Sequence, residues 1–348
     1  MRRRELLKKG GVGLLAGALP QHAGAQNRAG NVGTVRPSIS SSNLQWLRSA
    51  DDVARAAIEM GFGGVVLTVG QAPAHVPVND AGELKKYVAR LRDAGLAVDT
   101  IQLTAASGGD ALLDACEALG IRQVIFGPFP YTSGSPLAEQ RSRYKPQLAA
   151  LSKQGARFGV RNLYRNRAGL YLGASLLDLV GLLDSLDPKG IGICYDAGQG
   201  ALSGGNGGWV VGVKEAVPQI GCVLCTDTTL HFQLDTDQGG VFAGTPNDLV
   251  LNATARKTPR PFGGGGGRSN PWIAPNVPLG TGLVDLPQLA ALLKEGGFRG
   301  PLVVQSDYPN GGAENGGDNL SLPAAMVLGA MKRDLLTLRA GFSASGMI

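Results

Sequence analysis

Residues 51–69 read DDVARAAIEMGFGGVVLTV, and the change of rhythm inside this stretch decides the fold. From Asp51 to Glu59 the pattern is that of an amphipathic helix. From Gly64 to Val69 it becomes an unbroken apolar, β-branched run, as expected of a strand buried on both faces. Gly61 stands at the joint Glu59-Met60-Gly61-Phe62, where glycine accepts the left-handed backbone that closes a helix. The same joint recurs as Asp93-Ala94-Gly95-Leu96, Ala118-Leu119-Gly120-Ile121 and Arg157-Phe158-Gly159-Val160.

Outward from this stretch the unit repeats. Strands are predicted at Ser38 to Ser40, Gly64 to Val69, Ala97 to Leu103, Gln123 to Gly127, Gly159 to Tyr164, Gly190 to Tyr195, Gly221 to Thr226 and Pro301 to Gln305. Helices are predicted at Asp51 to Glu59, Ala81 to Ala94, Asp110 to Leu119, Leu137 to Arg157, Leu176 to Leu186, Trp209 to Val217, Leu286 to Glu295 and Leu322 to Leu338. Eight strands, each followed by a helix, predict an α/β protein of the (β/α)8 TIM barrel class, in a single domain. A doubly wound open sheet shares the alternation, but no GxGxxG follows the first strand.

The stretch 228–275 interrupts the rhythm after strand seven. It holds five consecutive glycines, Gly263 to Gly267, flanked by Arg256, Lys257, Arg260 and Arg268. A phosphate-cradling loop needs only one or two glycines at a helix start, so a mobile lid or a surface insertion is expected here.

The chain has 348 residues, of which 53 are glycine, 43% are hydrophobic and 17% are charged. This composition excludes a coiled coil, a collagen or a disordered tail. The formal charge of +6 would suit a nucleic-acid partner if it were spread over the folded part. It is not. Residues 1–25 combine a basic stretch with Arg3-Arg4-Glu5-Leu6-Leu7-Lys8, a mildly apolar run from Gly10 to Leu19 and Ala23-Gly24-Ala25 as a small-x-small cleavage site. This segment resembles a twin-arginine export signal, so a periplasmic or exported protein is expected, with 26–43 as a leader and 44–341 as the barrel. The apolar run is too short to span a bilayer. Removal of 1–25 takes away five basic groups and one acidic group and lowers the charge to +2, which leaves no electrostatic case for nucleic acid. Cys222 and Cys225 have CxxC spacing but fall in an apolar strand, where residues three apart face opposite ways. Buried thiols are therefore expected there, as for Cys116 and Cys194.

Chemistry in a barrel belongs to the C-terminal ends of the strands. There stand Ala74-His75-Val76-Pro77 after strand two, Tyr164-Arg165-Asn166-Arg167-Ala168-Gly169 after strand five, and Tyr195-Asp196-Ala197-Gly198-Gln199 after strand six. Cys225-Thr226-Asp227 closes strand seven and Gln305-Ser306-Asp307-Tyr308-Pro309 closes strand eight. The phrases GFGGVVLTV (61–69), HVP (75–77), YRNRAG (164–169) and VPLGTGLVDL with GFRGPLVVQSDYP (277–309) together resemble the xylose-isomerase-like barrels, the sugar phosphate isomerases and epimerases, from about Asn43 to Leu338.

The resemblance implies one divalent metal held by an acid from strand five, an aspartate from strand six, a histidine from strand seven and a glutamate from strand eight. It also implies proton transfer between adjacent carbons of a sugar. Asp196 matches the strand-six ligand, and Asp307 stands at the strand-eight position. Arg165 occupies the strand-five place and Leu224 or a neighbour the strand-seven place, while Arg167 and Gln199 replace histidines. Arginine cannot ligate a metal.

The resemblance thus implies a sugar isomerase or epimerase with an altered site. Asp196, Asp307 and His75 are the candidate catalytic groups, and Asp196 and Asp307 the candidate metal ligands. Tyr164, Arg165, Asn166, Arg167, Gln199, Asp227 and Tyr308 are the candidate substrate contacts. Two alternatives stand beside it: ion pairing of Arg165 and Arg167 with Asp196 and Asp307 across the mouth, and an exported accessory barrel that binds sugar without catalysis. In the latter, aromatics such as Tyr195, Trp209 and Trp272 would stack on sugar faces. His231 is a further acid/base candidate. An apurinic endonuclease, which shares the barrel, needs a histidine-rich metal cluster that two remaining histidines cannot supply.

Overall fold

The computed structural model describes residues 35–104, 108–132, 134–235, 241–244 and 272–348. The expected export signal 1–25, residues 26–34 of the expected leader and Gly263 to Gly267 lie outside these. Eight parallel strands form the barrel: β1 (Ser38–Ser40), β2 (Gly64–Gly70), β3 (Thr100–Leu103), β4 (Gln123–Phe126), β5 (Arg161–Arg165), β6 (Ile191–Asp196), β7 (Ile220–Cys225) and β8 (Leu302–Val304). Each pairs with its sequence neighbours, and β1 closes the ring by pairing with both β2 and β8. All eight predicted strands are present, shifted by three residues at most.

The helices are α1 (Ala50–Met60), α2 (Ala81–Asp93), α3 (Asp110–Ala118), α4 (Leu137–Phe158), α5 (Leu176–Leu183), α6 (Ala197–Ala216), α7 (Leu286–Glu295) and α8 (Ala324–Phe342). Gly61 and Gly159 end α1 and α4 in the left-handed region, with φ of 95° and 62°. Among the described residues no helix is long and apolar enough to cross a membrane.

Helix α6 departs from expectation. It begins directly after Asp196 rather than at Trp209, because the Asp196 side chain caps it by accepting from the Gln199 amide. The poor helix formers of AGQGALSGGNGG hid this first half, and the backbone breaks from helical geometry at Gly205–Gly207. The insertion also holds more order than its glycines suggested. Strands His231–Asp235, Val241–Gly244 and Trp272–Ile273 form a small antiparallel sheet. The polar-apolar alternation of His231-Phe232-Gln233-Leu234-Asp235 is the period of such a strand.

The strands divide two interiors. Inward-facing Val66, Ile125, Leu163, Cys194, Cys222, Leu224 and Val303 fill the barrel. The opposite strand faces, including Leu67, Ile101, Tyr164, Ile193, Val223 and Val304, pack beneath the helices. Cys222 and Cys225 thus fall in different layers. All four thiols are free and buried, and burial pushes Cys116 and Cys225 up to about 12, so they stay neutral. Side chains alternate along a strand. Two residues beyond five of these plug residues the same face becomes polar: Thr68 after Val66, Arg165 after Leu163, Asp196 after Cys194, Thr226 after Leu224, Gln305 after Val303.

Candidate active site

From this polar layer Thr68, Arg165 and Gln305 line a cavity of about 410 Å3 at the C-terminal ends of the strands. Hydroxyl and amide side chains supply most of its lining: Ser42, Gln45, Thr68, Gln102, Thr104, Gln199, Asn276, Gln305 and Asn315. Arg165, Arg167 and Asp307 supply the charge. Such a surface offers many directional hydrogen bonds, which suits a polyhydroxylated ligand.

At the β5–β6 corner, Arg165 donates to Asp196 Oδ2 from Nε at 3.0 Å and from Nη2 at 2.6 Å. Asp196 is fully buried. Its Oδ1 accepts from Thr226 Oγ1 at 2.5 Å and from the Gln199 amide at 3.2 Å. Burial opposes charge on Arg165, but Asp196 and then Asp307 outweigh it, and the guanidinium is held more firmly protonated than usual. Asn166 fastens the corner by accepting from the Asp196 amide at 2.7 Å and donating to its carbonyl at 3.3 Å. Gln199 accepts from the Ala168 amide at 3.2 Å. Arg167 is exposed, with its guanidinium over the Tyr171 ring at 4.9 Å.

At the opposite corner Asp307 is half-buried. Its Oδ2 accepts from Gln305 Nε2 at 2.5 Å, and its Oδ1 from Asn43 Nδ2 at 3.3 Å and the Asn315 amide at 3.2 Å. Asn43 also binds both backbone groups of Ser306 and so ties the start of the barrel to its end. Gln305 Oε1 is buried and has no partner among the described residues.

Several expected contacts lie behind this surface instead. His75 is buried and does not line the cavity. Its Nε2 sees only the Leu44 and Leu47 carbonyls, at 3.3 and 3.1 Å, and therefore carries the hydrogen. Its Nδ1 accepts from Ser41 and Thr68 at 3.1 and 3.0 Å. Burial lowers its pKa to about 4, so it is a neutral prop for Thr68 and not an acid or base facing the ligand. Asp227 is likewise withdrawn: it accepts from the amides of Thr228, Gly280, Gly282 and Val284 at 2.9 to 3.1 Å and shapes the PLGTG loop.

Tyr164 donates to the Leu172 carbonyl and accepts from the Phe129 amide, both at 2.8 Å, inside the core. Tyr308 donates to Asp334 at 2.8 Å, and Asn166 is buried under the corner it fastens. Each spends its polar atoms on the protein, which is why none of them meets the cavity. Tyr195 is also core, while His231 is exposed and bonded to Thr229 at 2.8 Å. The side chain of Trp272 lies outside the described residues.

Of the cavity residues that went unforeseen, Thr68 and Gln305 could have been found by counting two residues on from the plug, whereas Asn276 comes from a loop with no such period; Asn43, buried in the short 3-10 turn Ser41–Leu44 behind Asp307, also went unforeseen. Asp334, on α8, also went unforeseen. It accepts from Ser306, Tyr308 and the Leu279 amide at 2.6 to 3.1 Å, and burial raises its pKa.

The model of the xylose isomerase-like TIM barrel family matches residues 54–322. The chain belongs to that family. None of the curated proteins matches this xylose isomerase-like barrel, but solved structures of distant relatives share its fold. The apo 3-keto-D-glucoside 4-epimerase YcjR from E. coli superposes with a TM-score of 0.56 at 16% identity, over 88% of this chain and 99% of that one. A xylose isomerase-like TIM barrel protein from Mycobacterium smegmatis in complex with magnesium gives 0.58 at 15%, over 89% and 99%. A D-tagatose 3-epimerase-like protein gives 0.55 at 14%, over 88% and 98%.

A divalent metal, which that magnesium complex holds, does not fit the residues at this barrel's rim. Both oxygens of Asp196 are taken, by a guanidinium, a hydroxyl and an amide. Leu224 is buried among apolar neighbours. Among the described residues no three His, Cys, Asp or Glu side chains are grouped to hold an ion.

Proposed function

We propose that this barrel takes a sugar or sugar derivative in the cavity and moves a proton next to its carbonyl, as an isomerase or epimerase does. One observation carries this reading: Asp307 is the sole carboxylate among the described cavity-lining residues, and Arg165 lines the same cavity with its guanidinium fixed. The Asp307 carboxylate removes the proton from the carbon beside the carbonyl. The bonding pair moves into the carbonyl, whose oxygen becomes an oxyanion, and Arg165 donates a hydrogen bond to it in a site where a prearranged cation is worth more than in water. Return of the proton from Asp307 to the neighbouring carbon, with the hydroxyl proton of the first carbon passing to the former carbonyl oxygen, gives the isomer, whereas a proton delivered by solvent water to the opposite face of the first carbon gives the epimer. The likeness to a 3-keto-D-glucoside 4-epimerase and to a D-tagatose 3-epimerase-like protein supports the substrate class.

A second reading, a sugar-binding barrel without catalysis, is favoured by the fact that both Asp307 oxygens already accept hydrogen bonds. Binding and turnover of a panel of aldoses, ketoses and keto-glycosides separate the two. Turnover lost in Asp307→Asn supports the enzyme, whereas binding without turnover supports the accessory barrel.

We also propose export through residues 1–25, on the strength of Arg3, Arg4 and the cleavage-site residues. Arg3→Lys with Arg4→Lys should keep the protein in the cytoplasm, and undiminished periplasmic recovery would refute it.

A further inference from the structure

We propose that the Arg165 guanidinium is the resident cation of this barrel: it stands where a divalent ion would bind Asp196, and the protein holds no divalent metal there. The ligand chemistry of this proposal rests on the sugar reading above, whereas the metal chemistry rests on the protein alone.

A carboxylate offers about four in-plane lone-pair positions. Those of Asp196 receive Arg165 Nε, Arg165 Nη2, Thr226 Oγ1 and the Gln199 amide. An ion could reach this fully buried carboxylate only by displacing a side chain that is never deprotonated from its counter-charge. The remaining anionic donor on the cavity, Asp307, is a single carboxylate among neutral amides and hydroxyls. Magnesium and manganese need more charged oxygen than that to be held tightly. The guanidinium instead brings a full positive charge, and a ligand carbonyl or oxyanion can rest on it.

Gln305 complements this cation. Only 5% of it is exposed, its Nε2 is committed to Asp307, and its Oε1 has no partner among the described residues. A buried acceptor left without a donor is costly. Because Gln305 lines the same cavity as Arg165, a small shift of its buried amide on ligand binding would let a ligand hydroxyl satisfy Oε1. The pair therefore selects a carbonyl or ionised oxygen for Arg165 and a hydroxyl for Gln305, the arrangement of a hydroxycarbonyl compound.

The test is a calorimetric titration of the full chain with Mn2+ after removal of metals by EDTA, with melting temperature as a second readout. Wild type should show no saturable Mn2+ binding and the same melting temperature in EDTA and in Mn2+. Arg165→Glu should gain one Mn2+ per chain, because it adds a carboxylate to those of Asp196 and Asp307, and further substitution of Asp196→Asn should abolish the gain.

Stoichiometric Mn2+ on wild type that disappears in Asp196→Asn would overturn the proposal. So would an Arg165→Glu protein with native circular dichroism that gains no Mn2+. If that variant does not fold, the wild-type and Asp196→Asn titrations decide alone. Failure of every sugar in the panel to bind would count against the sugar reading and leave the Mn2+ result intact.

Discussion

Two acids at the cavity end of the barrel, Asp196 and Asp307, sit in contrasting corners. Asp196, at the end of β6, is fully buried, ion-paired with Arg165 and also serves as the cap of α6. Asp307, in the loop after β8, is half-buried, lines the cavity and is held by neutral donors from three segments. The same side chain is thus used once as framework and once as a displayed group. What separates the uses is the partner: a fixed guanidinium saturates Asp196, whereas amides orient Asp307 without cancelling its charge. A motif that supplies two aspartates at two strand ends does not reveal this division.

The contrast can be broken from its strongest point downwards. Arg165→Met leaves Asp196 buried without its counter-charge and should cost about 3–5 kcal/mol of stability, read from urea unfolding; a loss below ~1 kcal/mol would mean that the corner is not built on this pair. His75, which props Thr68, supplies the next effect. Its folded pKa of about 4 lies below the ordinary histidine value of 6.5, so between these values the unfolded chain binds the extra proton. Stability should therefore fall as pH drops from about 6.5 to 4, by about 3 kcal/mol in total. In His75→Gln this part of the pH dependence should vanish. A slope unchanged in the variant would place its origin elsewhere.

Asp227→Asn weakens a carboxylate that gathers four amides and should cost about 1–3 kcal/mol, with a matching loss of protection of the Gly280 and Gly282 amides in hydrogen exchange. Asp307→Asn should be the mildest for folding, about 1 kcal/mol or less, because its partners are neutral and the residue is half-buried. It should nevertheless abolish turnover. Equal destabilisation by Asp196→Asn and Asp307→Asn would erase the distinction between the two corners.

The barrel was legible because its signals are local and repeated: apolar runs of strand length, glycine at the helix-to-strand joints and a count of eight. Arg165, Arg167, Gln199 and Asp307 were legible because strand ends form the active face of a barrel, and all four line the cavity. His75, Tyr164, Asp227 and Tyr308 occupy equally promising places, yet their polar atoms bind Leu47, Leu172, the PLGTG amides and Asp334. Those partners lie up to 55 residues away in sequence, and whether a polar side chain faces the ligand or the scaffold depends on contacts of that kind. Asn43 was hidden for the same reason, since its partners Ser306 and Asp307 lie more than 260 residues on.

The most direct test of the account is proton exchange at the sugar. The protein in D2O with EDTA present, incubated with a panel of aldoses, ketoses and keto-glycosides, should introduce deuterium at the carbon beside the carbonyl of at least one of them, as seen by NMR. Asp307→Asn should introduce none. Exchange that is undiminished in Asp307→Asn, or that appears only when a divalent metal is restored, would contradict it.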